Sequence, residues 1–431
     1  MAERITPLDG QFTRNVLPPQ RRSGELAALP GTAAGGPAAI SFDGELLARN
    51  VLFLGAAGTG KSTTMIALLR QLRRQLGPED VLCVFDTKGE FVQRLARPGD
   101  LILGKGAYPA NCGWSLFRDA TAGITCRKDL ETRLHMIAKR LVPDKPNDSN
   151  RFFVLAAREA LEGLLDTLLR HPEMLPGGKL TNGGLLAFLR QGNLDMLLDA
   201  ARSEGLERLI GRKGRRDKTQ NSVLLELQTN VRENLIGFSG EGDFSMLGFE
   251  QARGGRVLFL QYDLAAGGAA DTCCGLLTDL YLTGFMSGSH RRGRLYLALD
   301  EVSLLGREAP ENLIRAMNFG RGIGMGAVFL GAQSLAQLEE LYGKGQLDAL
   351  LAGCQTRICF RTEDEASRDF IKKDCGKVLC STVRYIPGFS MTPGAPELKD
   401  AVSDTELTTL PRGCAIVSEP GEVPYRIQLD P

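Results

Sequence analysis

The 431-residue chain lacks any net charge of consequence: 52 Lys and Arg stand against 51 Asp and Glu, a formal +1. No bulk field therefore draws the molecule to nucleic acid or acidic lipid, and any basic surface has to be local. Long apolar runs are missing as well. A membrane span needs ~20 nearly continuous apolar residues, whereas the longest uncharged run of apolar residues and glycine extends only from Gly322 to Ala332. The N-terminus carries Glu3 and Arg4 and has no apolar stretch of signal-peptide length. Metal-binding spacings are absent: the ten cysteines include no C-x-x-C pair, and only His135, His171 and His290 could assist them, which argues against structural zinc. The cysteines read instead as small core hydrophobes in a reducing cytoplasm. The 51 glycines follow no G-X-Y period, so collagen is excluded.

What is present is an ordinary globular balance, 43% hydrophobic and 24% charged, over a length that predicts two or three units at ~150 residues each. Residues 1–40 are rich in Pro, Gly and Ala, as in Leu29-Pro-Gly-Thr-Ala-Ala-Gly-Gly-Pro37, and read as a flexible N-terminal arm with little helix and room for one docked strand. Short apolar runs then alternate with helical periods: Val51–Leu54, Val81–Phe85 and Leu101–Leu103, and later Val257–Gln261, Leu295–Leu299, Ala327–Leu330 and Arg357–Phe360. Runs of this kind predict an α/β fold with a mainly parallel central sheet covered on both faces. Between residues 129 and 238 only helical periods occur, so an all-α domain is expected to interrupt an ATPase domain made of 41–128 and 239–431. Cys414–Val417 and Val423–Leu429 predict a closing hairpin around Pro420-Gly421.

The strongest chemical signal is Gly55-Ala-Ala-Gly-Thr-Gly-Lys61-Ser62, which fits G-x-x-x-x-G-K-[ST] between a strand and a helix. Backbone N–H groups of such a loop (Gly55, Gly58, Thr59, Gly60, Lys61, Ser62 and Thr63) curl around phosphate oxygens, and the helix N-terminus adds its positive end. Lys61 would neutralise the β- and γ-phosphates of ATP, and the Ser62 hydroxyl would ligate Mg²⁺. The acidic partner is expected at the end of another buried strand, and Leu295-Tyr-Leu-Ala-Leu-Asp300-Glu301 supplies it. Asp300 would hold Mg²⁺ through water, and Glu301 would act as general base on the attacking water. Gln333, after a third strand, is placed to report the γ-phosphate. Arg321, in the turn Gly320-Arg321-Gly322, is placed to act as a finger across a subunit boundary, with Arg357 and Arg361 as reserves.

Phe85-Asp86-Thr-Lys88-Gly89-Glu90-Phe91 is similar to the D-P-K-G-E motif of the type IV secretion coupling ATPases, the TraD/TraG class of conjugation proteins. Asn111-Cys-Gly-Trp114-Ser-Leu-Phe117 resembles a degraded form of their W-N-P-F segment, and Phe152 to Leu161 resembles the opening of their all-α domain. Gly320-Arg321 through Gln333 to Leu338, then Tyr342-Gly343, resembles their sensor-glutamine motif. The resemblance covers roughly residues 45–425. In this sequence Thr87 replaces the usual proline, and the paired N-terminal transmembrane helices of the family do not occur.

The resemblance implies a RecA/FtsK-like P-loop motor that forms a hexameric ring and passes DNA, or a relaxase–DNA complex, toward a secretion channel. Membrane contact would then come only through partners. Arg212, Lys213, Arg215 and Arg216, in a stretch with seven Lys or Arg against three Asp or Glu from Arg202 to Lys218, are the candidate phosphate contacts for DNA. Two alternatives share parts of this reading: an FtsK/HerA-like DNA translocase outside secretion, and a non-translocating adaptor that uses ATP as a switch.

Overall fold

The computed structural model describes residues 2–20, 23–144, 151–191, 194–202, 204–210, 218–252, 255–262, 268–287, 293–306, 311–385 and 392–430. In chain order its strands are β1 (Ala2–Asp9), β2 (Ala27–Ala33), β3 (Gly36–Phe42), β4 (Val51–Leu54), β5 (Val81–Asp86), β6 (Leu101–Leu103), β7 (Val257–Gln261) and β8 (Leu295–Leu299). They continue as β9 (Met325–Ala332), β10 (Thr356–Cys359), β11 (Lys377–Tyr385), β12 (Thr392–Pro393), β13 (Glu397–Asp400), β14 (Cys414–Ser418) and β15 (Tyr425–Leu429).

Eleven of these form one sheet in the order β6-β7-β5-β8-β9-β4-β10-β14-β15-β2-β3. The seven from β6 to β10 are parallel, and the remaining four extend the sheet antiparallel. Strands β4, β5, β7, β8 and β9 are buried at every residue, as their unbroken apolar runs require when both faces are covered. Alternation then sorts the side chains. Val51 and Phe53 join Met65, Leu68 and Leu72 of the helix Lys61–Gln75 on one face, whereas Leu52 and Leu54 join the other core, which includes Leu276 and Leu280 of the helix Gly268–Ser287. Among the described residues no helix is long and apolar enough to cross a membrane.

The expected arm over residues 1–40 is replaced by strands. β2 and β3 pair as a hairpin at the edge of the large sheet, and β1 pairs antiparallel with β11 in a second sheet with β12 and β13. From Arg127 to Phe238 every described element is helical: Arg127–Leu141, Arg151–Arg170, Asn182–Gln191, Leu194–Ala200, Glu204–Ile210 and Lys218–Leu235, with short 3-10 turns between and after them. Seven of the ten cysteines are buried and all ten are free thiols. Burial pushes the Cys83 thiol up to about 12, as expected of an inert core residue.

The chain enters and leaves the helical segment through one buried polar knot. Asp119, fully buried, accepts from Trp114 Nε1 (2.6 Å), Ser245 Oγ (2.6 Å), Met246 N (3.1 Å) and Leu247 N (3.0 Å). Asn182 reinforces it by donating to both Trp114 O and Phe238 O at 2.9 Å. Asp119→Ala strands three buried donors and a half-buried fourth, so it should destabilise the chain by about 3 kcal/mol or more, read as a lowered denaturation midpoint. A loss below about 1 kcal/mol would reduce the knot to an incidental contact.

Candidate active site

Four neighbouring strands, β5, β8, β9 and β4, run parallel and deliver their C-terminal ends to one edge of the sheet. That edge carries Thr87, Asp300 with Glu301, Gln333 and the loop from Gly55. A cavity of about 240 Å³ opens there, lined by Gly58, Gly60, Lys61, Ser62, Thr63, Asp300, Glu301 and Gln333 among others. Residues dispersed over some 270 positions in sequence thus meet because the parallel topology brings their strand ends together.

Gly58 and Gly60 adopt φ +74° and +121°, conformations that a residue with a Cβ rarely takes, and the helix begins at once with Lys61. The Lys61 ammonium donates to Gly55 O and, at 3.0 Å, to Ala56 O. Burial lowers its pKa, while the charges of Glu301 and Asp300 work in the opposite direction. Thr59 shapes the loop from within: its hydroxyl donates to Ala56 O at 2.8 Å, and its carbonyl accepts from Gly413 N at 2.9 Å. Gly55 and Thr59 therefore build the loop without lining the cavity, whereas the other five predicted loop residues line it.

Ser62 Oγ donates to Asp300 Oδ1 at 2.7 Å, so the two predicted metal-binding side chains are adjacent. A hydroxyl and a carboxylate are hard oxygen donors of the kind Mg²⁺ takes together with phosphate oxygens and water. Among the described residues no group of three or more His, Cys, Asp and Glu side chains could hold a metal ion. A cation here would therefore depend on a bound phosphate chain for part of its shell. The donor set fits Mg²⁺ on a nucleotide.

Glu301 is buried, and burial raises its pKa above the ordinary carboxylate value. The Ser303 hydroxyl, donating to Oε1 at 2.8 Å, and the Gln333 amide and Lys61 charge act against that rise. Its Oε2 is buried without a hydrogen-bond partner, which leaves a free acceptor in the site. A carboxylate in that condition is suited to take a proton from a water.

Several residues of the site carry no site role in the sequence analysis. Thr87, Lys88 and Glu90, which stand in the quoted motif string, and Arg412, which stands in none, all line the cavity. Arg412 arrives through the turn before β14 that contacts the phosphate loop, a purely tertiary placement. Asp86, the first residue of the quoted Asp86–Glu90 string, is structural: it accepts from Gly89 N and Val92 N at 2.8 Å and starts the helix Glu90–Leu95.

Arg321 does not reach this cavity. It lies in the turn Gly320–Ile323 before β9, at the opposite end of that strand from Gln333, and pairs with Glu45 at 3.3 Å. The reserve Arg357 is held by Asp374 and the Phe370 ring, and Arg361 gives its carbonyl to Ala56 N at 2.8 Å while its Nε has no partner. Arg212, Lys213, Arg215 and Arg216 lie outside the described residues.

Residues 37–428 match the family described as the type IV secretion-system coupling protein DNA-binding domain. The coupling protein TraD of Escherichia coli (strain K12) is 25% identical over 403 residues, covering 87% of this chain and 52% of TraD, so the chain spans about half the length of that curated relative. Among solved structures, the bacterial conjugative coupling protein TrwBdeltaN70 in its unbound form superposes with a TM-score of 0.76 at 21% identity, covering 98% of this chain and 94% of that one. TrwB in complex with ADP and Mg²⁺ gives 0.73 at 20% identity, covering 98% and 95%. VirB4 of Thermoanaerobacter pseudethanolicus gives 0.56 at 14% identity, covering 96% and 98%. These likenesses show a TrwB-like α/β fold with a mostly parallel central sheet.

Proposed function

Because this chain belongs to the type IV secretion-system coupling protein family, we propose that it is an ATP-hydrolysing motor that binds DNA and moves it, alone or with bound protein, toward a secretion channel. The observation that carries the reading is the convergence of Lys61, Ser62, Asp300, Glu301 and Gln333 on one cavity at the strand ends. The solved complex of TrwB with ADP and Mg²⁺ supports the same ligands here. The working assembly is a homo-oligomeric ring, a hexamer by family resemblance, with relaxase or channel proteins as partners. Residues 129–238 are proposed as an all-α domain inserted between the two parts of the ATPase domain, 41–128 and 239–431.

In this mechanism the loop N–H groups and Lys61 would hold the phosphates, and Ser62 directly and Asp300 through water would hold Mg²⁺, which when bound would neutralise charge on the phosphates. Glu301 would orient the attacking water and take its proton, and Gln333, which lines the same cavity, would report the γ-phosphate.

Glu301→Gln keeps the shape and removes the base. ATP should still bind while hydrolysis, and its stimulation by DNA, falls by ~10²-fold or more. Because burial raises the Glu301 pKa, wild-type turnover should climb with pH through a limb displaced above the ordinary carboxylate range, and the variant should lack that limb. Equal loss of binding and turnover would make Glu301 a ligand instead of a base. A wild-type chain whose ATP turnover ignores DNA would favour the ATP-switched adaptor.

A further inference from the structure

Asp300 is gripped from two sides. Ser62 Oγ donates to Oδ1 at 2.7 Å, and the Thr87 hydroxyl, from the end of the neighbouring strand β5, donates to Oδ2 at 2.5 Å. Thr87 is buried and lines the same cavity. A buried threonine ordinarily satisfies its hydroxyl on a nearby backbone carbonyl. This one instead crosses between strands, 213 positions along the chain, to the carboxylate that Ser62 also touches.

The grip has a rigid footing. Phe85 and Leu299 are paired in register, and Asp300 N donates to Phe85 O at 3.3 Å, so the ends of β5 and β8 are fixed to each other. On the far side of Thr87, the Asp86 carboxylate fixes the backbone by accepting from Lys88 N (3.3 Å), Gly89 N (2.8 Å) and Val92 N (2.8 Å). A threonine held at both ends presents its hydroxyl in one place. An ionised carboxylate has about four acceptor directions, so two hydroxyl donors orient Asp300 without exhausting it.

We propose that Thr87 is a positioning residue for the cation of the nucleotide site: its hydroxyl locks the Asp300 carboxylate in the rotamer that a divalent ion with bound nucleotide requires. The proposal rests on the reading of this cavity as an Mg²⁺–nucleotide site. Outer-shell partners of metal-binding carboxylates commonly change affinity by ~10–100-fold when removed. Thr87→Val is the informative change, because it keeps the branched shape and deletes only the donor.

The test uses the full chain, with Mn²⁺ as the probe ion and ADP as the nucleotide. Free Mn²⁺ is followed by electron paramagnetic resonance in the presence of ADP, and ADP binding is measured separately in EDTA. Thr87→Val should weaken Mn²⁺ uptake by ~10–100-fold while leaving metal-free ADP affinity within about twofold, and Thr87→Ser should restore Mn²⁺ uptake to within about threefold of wild type. A general folding defect would lower ADP binding in EDTA as well and would not be rescued by serine, so that pattern overturns the proposal. Equal Mn²⁺ affinity in wild type and Thr87→Val overturns the role of Thr87 alone. Failure of the wild-type chain to take up Mn²⁺ with ADP overturns the underlying site reading, and the proposal with it.

Discussion

Lys61→Ala should abolish nucleotide binding and hydrolysis together, with turnover falling by ~10³-fold or more. Its ammonium is the one cation among the phosphate-loop residues and is buried against the loop carbonyls of Gly55 and Ala56. Burial makes this charge expensive and pulls its pKa down, and the nearby carboxylates Glu301 and Asp300 offset part of that cost. Removing it does two things at once. The phosphates lose their neutralising group, and Glu301 and Asp300 are left facing a polyanion with less compensation. Alanine is at least as good a helix former as lysine at the start of Lys61–Gln75, so the helix itself should survive. The measurements are ATP turnover and binding of a fluorescent ATP analogue, with circular dichroism to establish that the variant is folded. Hydrolysis at the wild-type rate would remove the phosphate-loop assignment.

The parts of the site that could be read from the sequence are those fixed by local rules. The Gly55–Ser62 loop announces itself because phosphate cradling needs glycine at set spacings between a strand and a helix, and Asp300-Glu301 because acids at the end of a fully apolar run have no packing reason to be there. The parallel strands were legible for the same reason: a strand covered on both faces has to be apolar throughout. What escaped was set by tertiary approach. Pro30 and Gly31 make β2 look like a loop, but a Cβ on Gly31 would stand 2.2 Å from Gln428 O, so glycine is there to let β15 come close. Thr87 stands in the quoted motif string, but its contact with Asp300 and the approach of Arg412 to the cavity come from distant strands being neighbours in the sheet, which no spacing in the sequence encodes. Asp86 stood out in the sequence as part of a motif, yet its work is to cap a helix.

Arg321→Ala should cut turnover by ~10³–10⁵-fold if this residue completes the site of a neighbouring subunit, far beyond what loss of a surface ion pair could do. A role in the nucleotide site of its own chain is ruled out by the topology. Arg321 precedes β9 and Gln333 follows it; eight extended residues at ~3.3 Å each put about 26 Å between them. The side chain is also available. It is 57% exposed, and its only partner among the described residues, Glu45, is itself exposed and shared with Arg49, so little holds it in place. Phe319, 75% exposed, and Ile323, 41% exposed, flank it and give the same turn an apolar surface. The decisive experiment mixes Lys61→Ala protein with Arg321→Ala protein under conditions that drive assembly, with DNA present. Mixed oligomers contain some interfaces with both an intact phosphate loop and an intact finger, so activity should exceed the sum of the two variants. Wild-type turnover by Arg321→Ala alone removes the finger assignment. A dead variant that mixing fails to rescue, although mixed oligomers form, would make Arg321 a residue that supports the fold around Glu45.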